Sequence, residues 1–165
     1  LKFMVFVRTK VRAERVKAAM ERANIDTLTL HGDIEQTERE INLQAFRTGA
    51  CKILIATDVS ARGIDVDGVD YVINYDIPDV AENYVHRVGR TGRGRAKGKA
   101  ISFCAKEEKP LLEAIEIFTT VPITRAVVTR GEYAETIELA DEGKDNWKSL
   151  MSEEIKKPKK KGKKK

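Results

Sequence analysis

The chain has 165 residues, a length that suits one domain with a sizeable core, and 41% of them are apolar, too many for a wholly disordered chain. No apolar run approaches the ~18–20 residues a bilayer span needs, and the N-terminus lacks the shape of a signal peptide, so no membrane partner and a cytoplasmic location are expected. The net charge of +5 is uneven: residues 1–130 hold 21 basic and 18 acidic side chains, residues 131–155 hold 2 and 8, and residues 156–165 hold eight Lys and no acid, so without its last ten residues the chain is net negative.

Phe3–Val7 is a short continuous apolar run, the pattern of a strand buried on both faces. Lys10–Ala23 reads as a helix, with Ala13, Val16 and Met20 apolar at helical spacing and charges on the remaining face. Asp26–Leu30 reads as a strand and Thr37–Arg47 as a second helix, closed by Gly49. Lys52–Thr57 is another buried strand, and a loop follows from Asp58 to Gly68. Tyr71–Tyr75 is a strand, Val80–Val88 a short helix after Pro78, Lys99–Ala105 a strand and Glu107–Phe118 a helix. Strands and helices alternating at these lengths predict an α/β fold with a mainly parallel sheet covered by helices on both faces.

Val121–Val128 has the composition of one more strand at an edge, and the packed domain is expected to end near residue 130. Residues 131–155 form an acidic extension with a lone Trp147, partly ordered at best. Residues 156–165 are expected to be a disordered Lys-rich tail, because self-repulsion opposes compaction. Cys51 and Cys104 stand far apart without a CxxC pattern and read as two small buried hydrophobes, with no metal site. The chain does not begin with Met and reads as a piece of a longer protein.

In open α/β sheets, ligands gather beyond the carboxyl ends of the strands. Two segments near those ends are rich in chemistry. Ala56–Asp65 supplies hydroxyls at Thr57 and Ser60, a phosphate clamp at Arg62, a sharp turn at Gly63 and an acceptor for sugar hydroxyls at Asp65. His86–Lys99 carries six cationic side chains, four Gly and no acid. Arg87, Arg90 and Arg93 are three apart and would share one side of a helix, which suits an anion with several oxygens. There is no GxxxxGK[ST] phosphate loop, and a lone His31 after a strand reads as a hydrogen-bonded structural residue.

These residues resemble the C-terminal RecA-like lobe of DEAD-box ATP-dependent RNA helicases over residues 1–120. Val5–Lys10 looks like motif IV. His31-Gly32-Asp33 with Gln36–Arg39 looks like the segment leading into and containing motif IVa, and Ala56–Asp65 looks like motif V. His86–Arg93 fits HRxGRxGR, motif VI, at every fixed position. The Lys-rich tail resembles that of a bacterial RhlE-type member. The resemblance implies a RecA-like three-layer αβα domain. It implies ATP with Mg2+ held mainly by an N-terminal RecA-like lobe of the same protein, whose motifs these 165 residues lack. In that reading Arg90 and Arg93 reach the γ-phosphate, with Arg93 as arginine finger. His86 links to the other lobe, Arg87 holds the motif in place and Asp65 accepts from the ribose. Arg8, Thr9, Gly32, Gln36, Arg39, Thr57 and Arg62 hold the RNA backbone. The protein is expected to be a monomer, an ATP hydrolase when whole and inactive as this piece. The alternatives are a stand-alone RNA-binding or annealing module, a related two-lobed DNA motor, or a flavodoxin-like domain with a basic loop.

Overall fold

The computed structural model describes residues 1–92, 98–132 and 134. Arg93, Trp147, most of the acidic extension and the whole Lys-rich tail lie outside the described residues. Five parallel strands, β1 (Phe3–Phe6), β2 (Leu28–Leu30), β3 (Ile53–Ala56), β4 (Tyr71–Asn74) and β5 (Lys99–Ser102), form one sheet in the order β2-β3-β1-β4-β5. The helices are α1 (Lys10–Arg22), α2 (Gln36–Thr48), α3 (Asp58–Ala61), α4 (Ala81–Val88) and α5 (Lys109–Thr119).

Alternation along the central strand sorts the core into two layers. Met4 and Phe6 point to the side where Leu43 and Phe46 of α2 pack with Leu30, Leu54 and Val72. Val5 and Val7 point to the other side, against Ala13 and Val16 of α1 with Ile55. β1 is central and covered on both faces, which is why its run is continuously apolar. Leu112 and Ile115 of α5 form a third cluster with Ile77, packed by Ala81 and Tyr84 of α4.

Element ends follow local chemistry. Thr9 caps α1, its hydroxyl accepting from the Arg12 amide at 3.2 Å. Gly49 ends α2 at φ 79°, the left-handed conformation that glycine adopts without strain.

Several expectations need correction. The loop expected from Asp58 to Gly68 begins as the short helix α3, because Thr57 and Ser60 form a capping box there. Residues 121–129 form no strand. β5 is an edge strand whose outer positions stay open, with Ile101 and Phe103 exposed. Cys104 is therefore exposed and Cys51 half-buried, so neither is the fully buried hydrophobe expected. The first compact unit is Leu1–Thr124. The second, starting at Arg125, contains a capping box of its own, in which the Glu132 carboxylate accepts from the Thr129 amide at 2.7 Å. That backbone hydrogen bond, with one from the Thr129 hydroxyl, holds the Glu132 carboxyl below the ordinary range.

Phe46→Ala should remove a core side chain that is 1% exposed and cost about 3–5 kcal/mol in urea unfolding. Ile117→Ala on α5, 80% exposed, should shift stability by no more than about 0.5 kcal/mol.

Candidate functional site

Because every strand runs the same way, the segments after β1, β2, β3 and β4 emerge on one edge of the sheet. Arg8 and Thr9 follow β1, Gly32 follows β2, Thr57 opens α3, and α2 brings Gln36 and Arg39 to the same edge. Lys10 and Asp33 bridge the first two segments at 2.7 Å, and the Lys10 hydrogen bond holds the Asp33 carboxyl below its ordinary range. Arg39 donates to the Ser60 carbonyl at 2.6 Å, tying α2 to α3. Arg62, just past α3, donates to Asn83 of α4 at 3.0 Å. Gln36 donates to Glu40 on its own helix, and a Cβ on Gly32 would meet open space. Gly63 adopts φ 71°, the sharp turn its position predicts.

Two hydroxyls expected to face a phosphate are turned inward. Ser60 Oγ donates to the Leu30 carbonyl at 2.5 Å and lies 2.9 Å from Thr57 Oγ1, and both residues are buried. They close the β3–α3 junction. Of that segment, Arg62 and Asp65 are the exposed polar side chains, and Asp65 also accepts from Arg47 through its carbonyl at 3.0 Å.

The spacing of the arginines has a different consequence from the one expected. α4 ends at Val88, and the chain tightens into i→i−3 hydrogen bonds from Arg90 to Arg87 and from Thr91 to Val88 before Thr91 bridges to Val69. Arg87 and Arg90 do share a side, but it faces the protein. Arg87, 1% exposed, makes a bidentate pair with Asp58 at 2.6 and 2.7 Å. It also donates to the Asn74 side chain at 3.2 Å and the Asp76 carbonyl at 2.7 Å, and its guanidinium lies 5.2 Å from the Phe6 ring centroid. Arg90 donates to the carbonyls of Ile64 at 3.0 Å and Ala61 at 3.3 Å, and lies 3.8 Å from Asp67. His86 is more than half exposed, 3.9 Å from Glu82. Asp58, Ala61, Arg62, Asn83, His86 and Arg90 line a shallow cleft between α3 and α4.

Among the residues that assemble this arrangement, Asn74 and Ser102 were not singled out by sequence reasoning. Asn74, fully buried, accepts from Arg87 and donates to Ser102 of β5 at 3.0 Å. Ser102 also meets Tyr84, whose phenol burial pushes up in pKa. The buried Asp76 carboxylate accepts from the Arg8 amide at 2.8 Å while its carbonyl accepts from Arg87. The unbroken acid run from Asp65 to Glu82 lies next to an acid-free basic run, an arrangement from which internal pairing was expected. Asp67, Asp76 and Asp79 of that run indeed pair with Arg90, Arg12 and Arg8. His31 is structural as expected. Its Nδ1 accepts from the Asp33 amide, so Nε2 donates to Glu14 at 2.7 Å. Burial alone would raise the Glu14 carboxyl, but hydrogen bonds from His31 and Thr29 hold it below its ordinary value. Among the described residues no group of three His, Cys, Asp or Glu could hold a metal ion, and no helix is long and apolar enough to cross a membrane.

Residues 1–95 match the helicase conserved C-terminal domain. The ATP-dependent RNA helicase FAL1 of Kluyveromyces lactis is 46% identical over 113 residues, which cover 68% of this chain and 28% of that protein. The chain thus spans about a quarter of that curated relative's length. The E. coli DEAD-box protein SrmB, in a crystal structure with regulator of ribonuclease activity A, superposes with a TM-score of 0.73 at 35% identity, covering 77% of this chain and 75% of that one. A variant of S. cerevisiae Dbp5 bound to RNA and ADP BeF3 superposes with a TM-score of 0.72 at 34% identity, covering 86% of this chain and 38% of that one.

Arg87→Ala strands the Asp58 carboxylate and the buried Asn74, and should cost about 3–5 kcal/mol in urea unfolding. Glu14 binds a proton less readily folded than unfolded, so its contribution to stability is present above the unfolded carboxyl's pKa and fades as pH falls through the folded one. The stability gap between the native chain and Glu14→Gln should therefore be widest near neutral pH and close in acid, read by urea unfolding across that range.

Proposed function

The chain belongs to the DEAD-box helicase family, as its conserved C-terminal domain, and from that premise we propose that it is the lobe of an ATP-dependent RNA helicase that grips the RNA backbone and completes the ATP site. What supports this most directly is the gathering of Arg8, Gly32, Arg39 and Arg62 on the one sheet edge that also carries the cleft with His86 and Arg90. That so similar a chain, Dbp5, has been captured with RNA and ADP BeF3 supports the same pair of ligands here.

In this reading Arg8, Thr9, Gly32, Gln36, Arg39 and Arg62 hold RNA through phosphates and 2′-hydroxyls, and the inward-turned Thr57 shapes the β3–α3 junction beside them. Contacts of that kind carry no base information, so binding is independent of sequence. ATP with Mg2+ is held mainly by an N-terminal RecA-like lobe, since these 165 residues contain no GxxxxGK[ST] loop. Asp65 accepts from the ribose, His86 contacts the other lobe, and Arg90 and Arg93 neutralise charge that builds on the γ-phosphate, Arg93 as arginine finger. Hydrolysis is thereby coupled to duplex unwinding. The protein works as a monomer in the cytoplasm, and the Lys-rich tail adds a salt-sensitive tether without specificity.

Single-stranded RNAs of unrelated sequence should bind the chain with similar affinity, whereas DNA of the same sequences binds more weakly. Arg62→Ala should weaken all the RNAs alike and lower the salt slope by about 0.7, the loss of one phosphate contact. A strong sequence preference, or undiminished binding by that variant, overturns the RNA assignment. The chain alone should show no RNA-stimulated ATP turnover. In the two-lobed protein, Arg93→Ala should cut turnover by about 10³–10⁵ with RNA binding retained, and unchanged turnover refutes the finger.

A further inference from the structure

Arg8, exposed at the end of β1, is already spoken for. Its Nε lies 3.2 Å from Asp79 Oδ1. Its Nη2 donates both to the Ile77 carbonyl at 3.0 Å and to Glu108 Oε1 at 2.9 Å. A guanidinium grips a phosphate with two parallel bonds through one of two forks, Nε with Nη2 or Nη1 with Nη2. Both forks need Nη2, and both Nη2 hydrogens are spent. Among the described residues the Nη1 hydrogens have no partner, but alone they offer an incoming phosphate no fork.

Glu108 is not a loose surface carboxylate that happens to lie near. Its other oxygen accepts from the Ala105 amide at 3.0 Å, so the 3-10 turn Lys106–Glu108 aims it at Arg8 from a hundred residues away in sequence. Its side chain is only 15% exposed, against 64% for Asp79. Ile77 is fixed too, buried in the α5 cluster. Of the two groups that fill Nη2, only Glu108 can be exchanged for a phosphate oxygen without moving the main chain.

We propose that Glu108 is an affinity-setting residue of the RNA site: it parks Arg8 in a pose that cannot clamp a phosphate, and RNA engages Arg8 with two bonds only by displacing Glu108. The proposal rests on the reading that Arg8 faces RNA. Glu108 thus lowers the affinity of the free lobe, and each binding event carries an exchange of one carboxylate for one phosphate.

The test is RNA binding by the 165-residue chain, by fluorescence anisotropy with a single-stranded oligonucleotide across a salt series. Glu108→Gln keeps a hydrogen-bonding oxygen for the Ala105 amide and removes the competing charge. It should raise affinity about fivefold at low salt and steepen the salt slope by about 0.7, one more phosphate engaged. Arg8→Ala in that background should abolish the gain. Asp79→Asn frees Nε but leaves Nη2 occupied, so its slope should match the native chain's. Thermal melting of each variant shows that it is folded. No gain with Glu108→Gln, or a gain that survives Arg8→Ala, overturns the proposal while Arg62→Ala still reports the RNA site. No RNA binding by any form overturns the RNA reading itself and the role of Glu108 with it.

Discussion

A guanidinium with 1% exposure sits at the centre of this lobe, and the rest of the functional edge is arranged around it. Taking an arginine out of water costs several kcal/mol, and the cost is offset only where its donors find acceptors of good geometry. Arg87 finds acceptors for four of its five N–H groups on three segments at once: the Asp58 carboxylate at the start of α3, the Asn74 side chain at the end of β4, and the Asp76 carbonyl in the loop beyond it. The Phe6 ring of the central strand covers its face. The β3–α3 junction, the end of β4 and α4 are therefore fixed to one another by a single side chain. Satisfied networks of this kind are rigid, because removal of any one partner leaves a buried charge or dipole exposed to nothing.

That constraint divides the cations of the RecA-like domain by task. Arg87, Arg39 and, in part, Arg90 spend their donors on the protein's own carbonyls and carboxylates. They set the distances between segments. Arg62 and His86 remain more open at the cleft rim. The net charge of the folded region is a poor guide to binding for this reason: much of its positive charge faces inward, and its acids, Asp58, Asp76 and Asp79 among them, are partners of arginines. Paired charges inside or near a surface act at short range and are screened beyond about 10 Å at moderate salt. A ligand at this edge meets local groups; it does not meet an average.

Much of this was legible in one dimension. The apolar run Phe3–Val7 declared a strand covered on both faces, and β1 is indeed the middle strand. The fixed positions of His86–Arg93 carried the family, and Gly49 and Gly63 marked turns that take positive φ. Other features were hidden for definite reasons. Thr57 and Ser60 looked like phosphate donors because a hydroxyl reads alike whether it faces solvent or caps a helix, and here both do the latter. Asn74 was silent because its partner lies 13 residues away on another element, and the acid run around Asp76 announced pairing without naming a partner 68 residues distant.

The sequence by itself determined the alternation of strand and helix, the parallel sheet that this alternation demands, and the identities of the groups that meet at its carboxyl edge. These follow from local periodicity and from connection lengths, which act over a few residues. Only the tertiary structure decided which way the charged side chains point. Arg8 turning to Glu108, Arg87 to Asp58 and Arg90 to Ala61 and Ile64 are pairings between segments far apart in the chain. Their free energy depends on burial and on angstrom-scale geometry, quantities that exist only once the layers have packed.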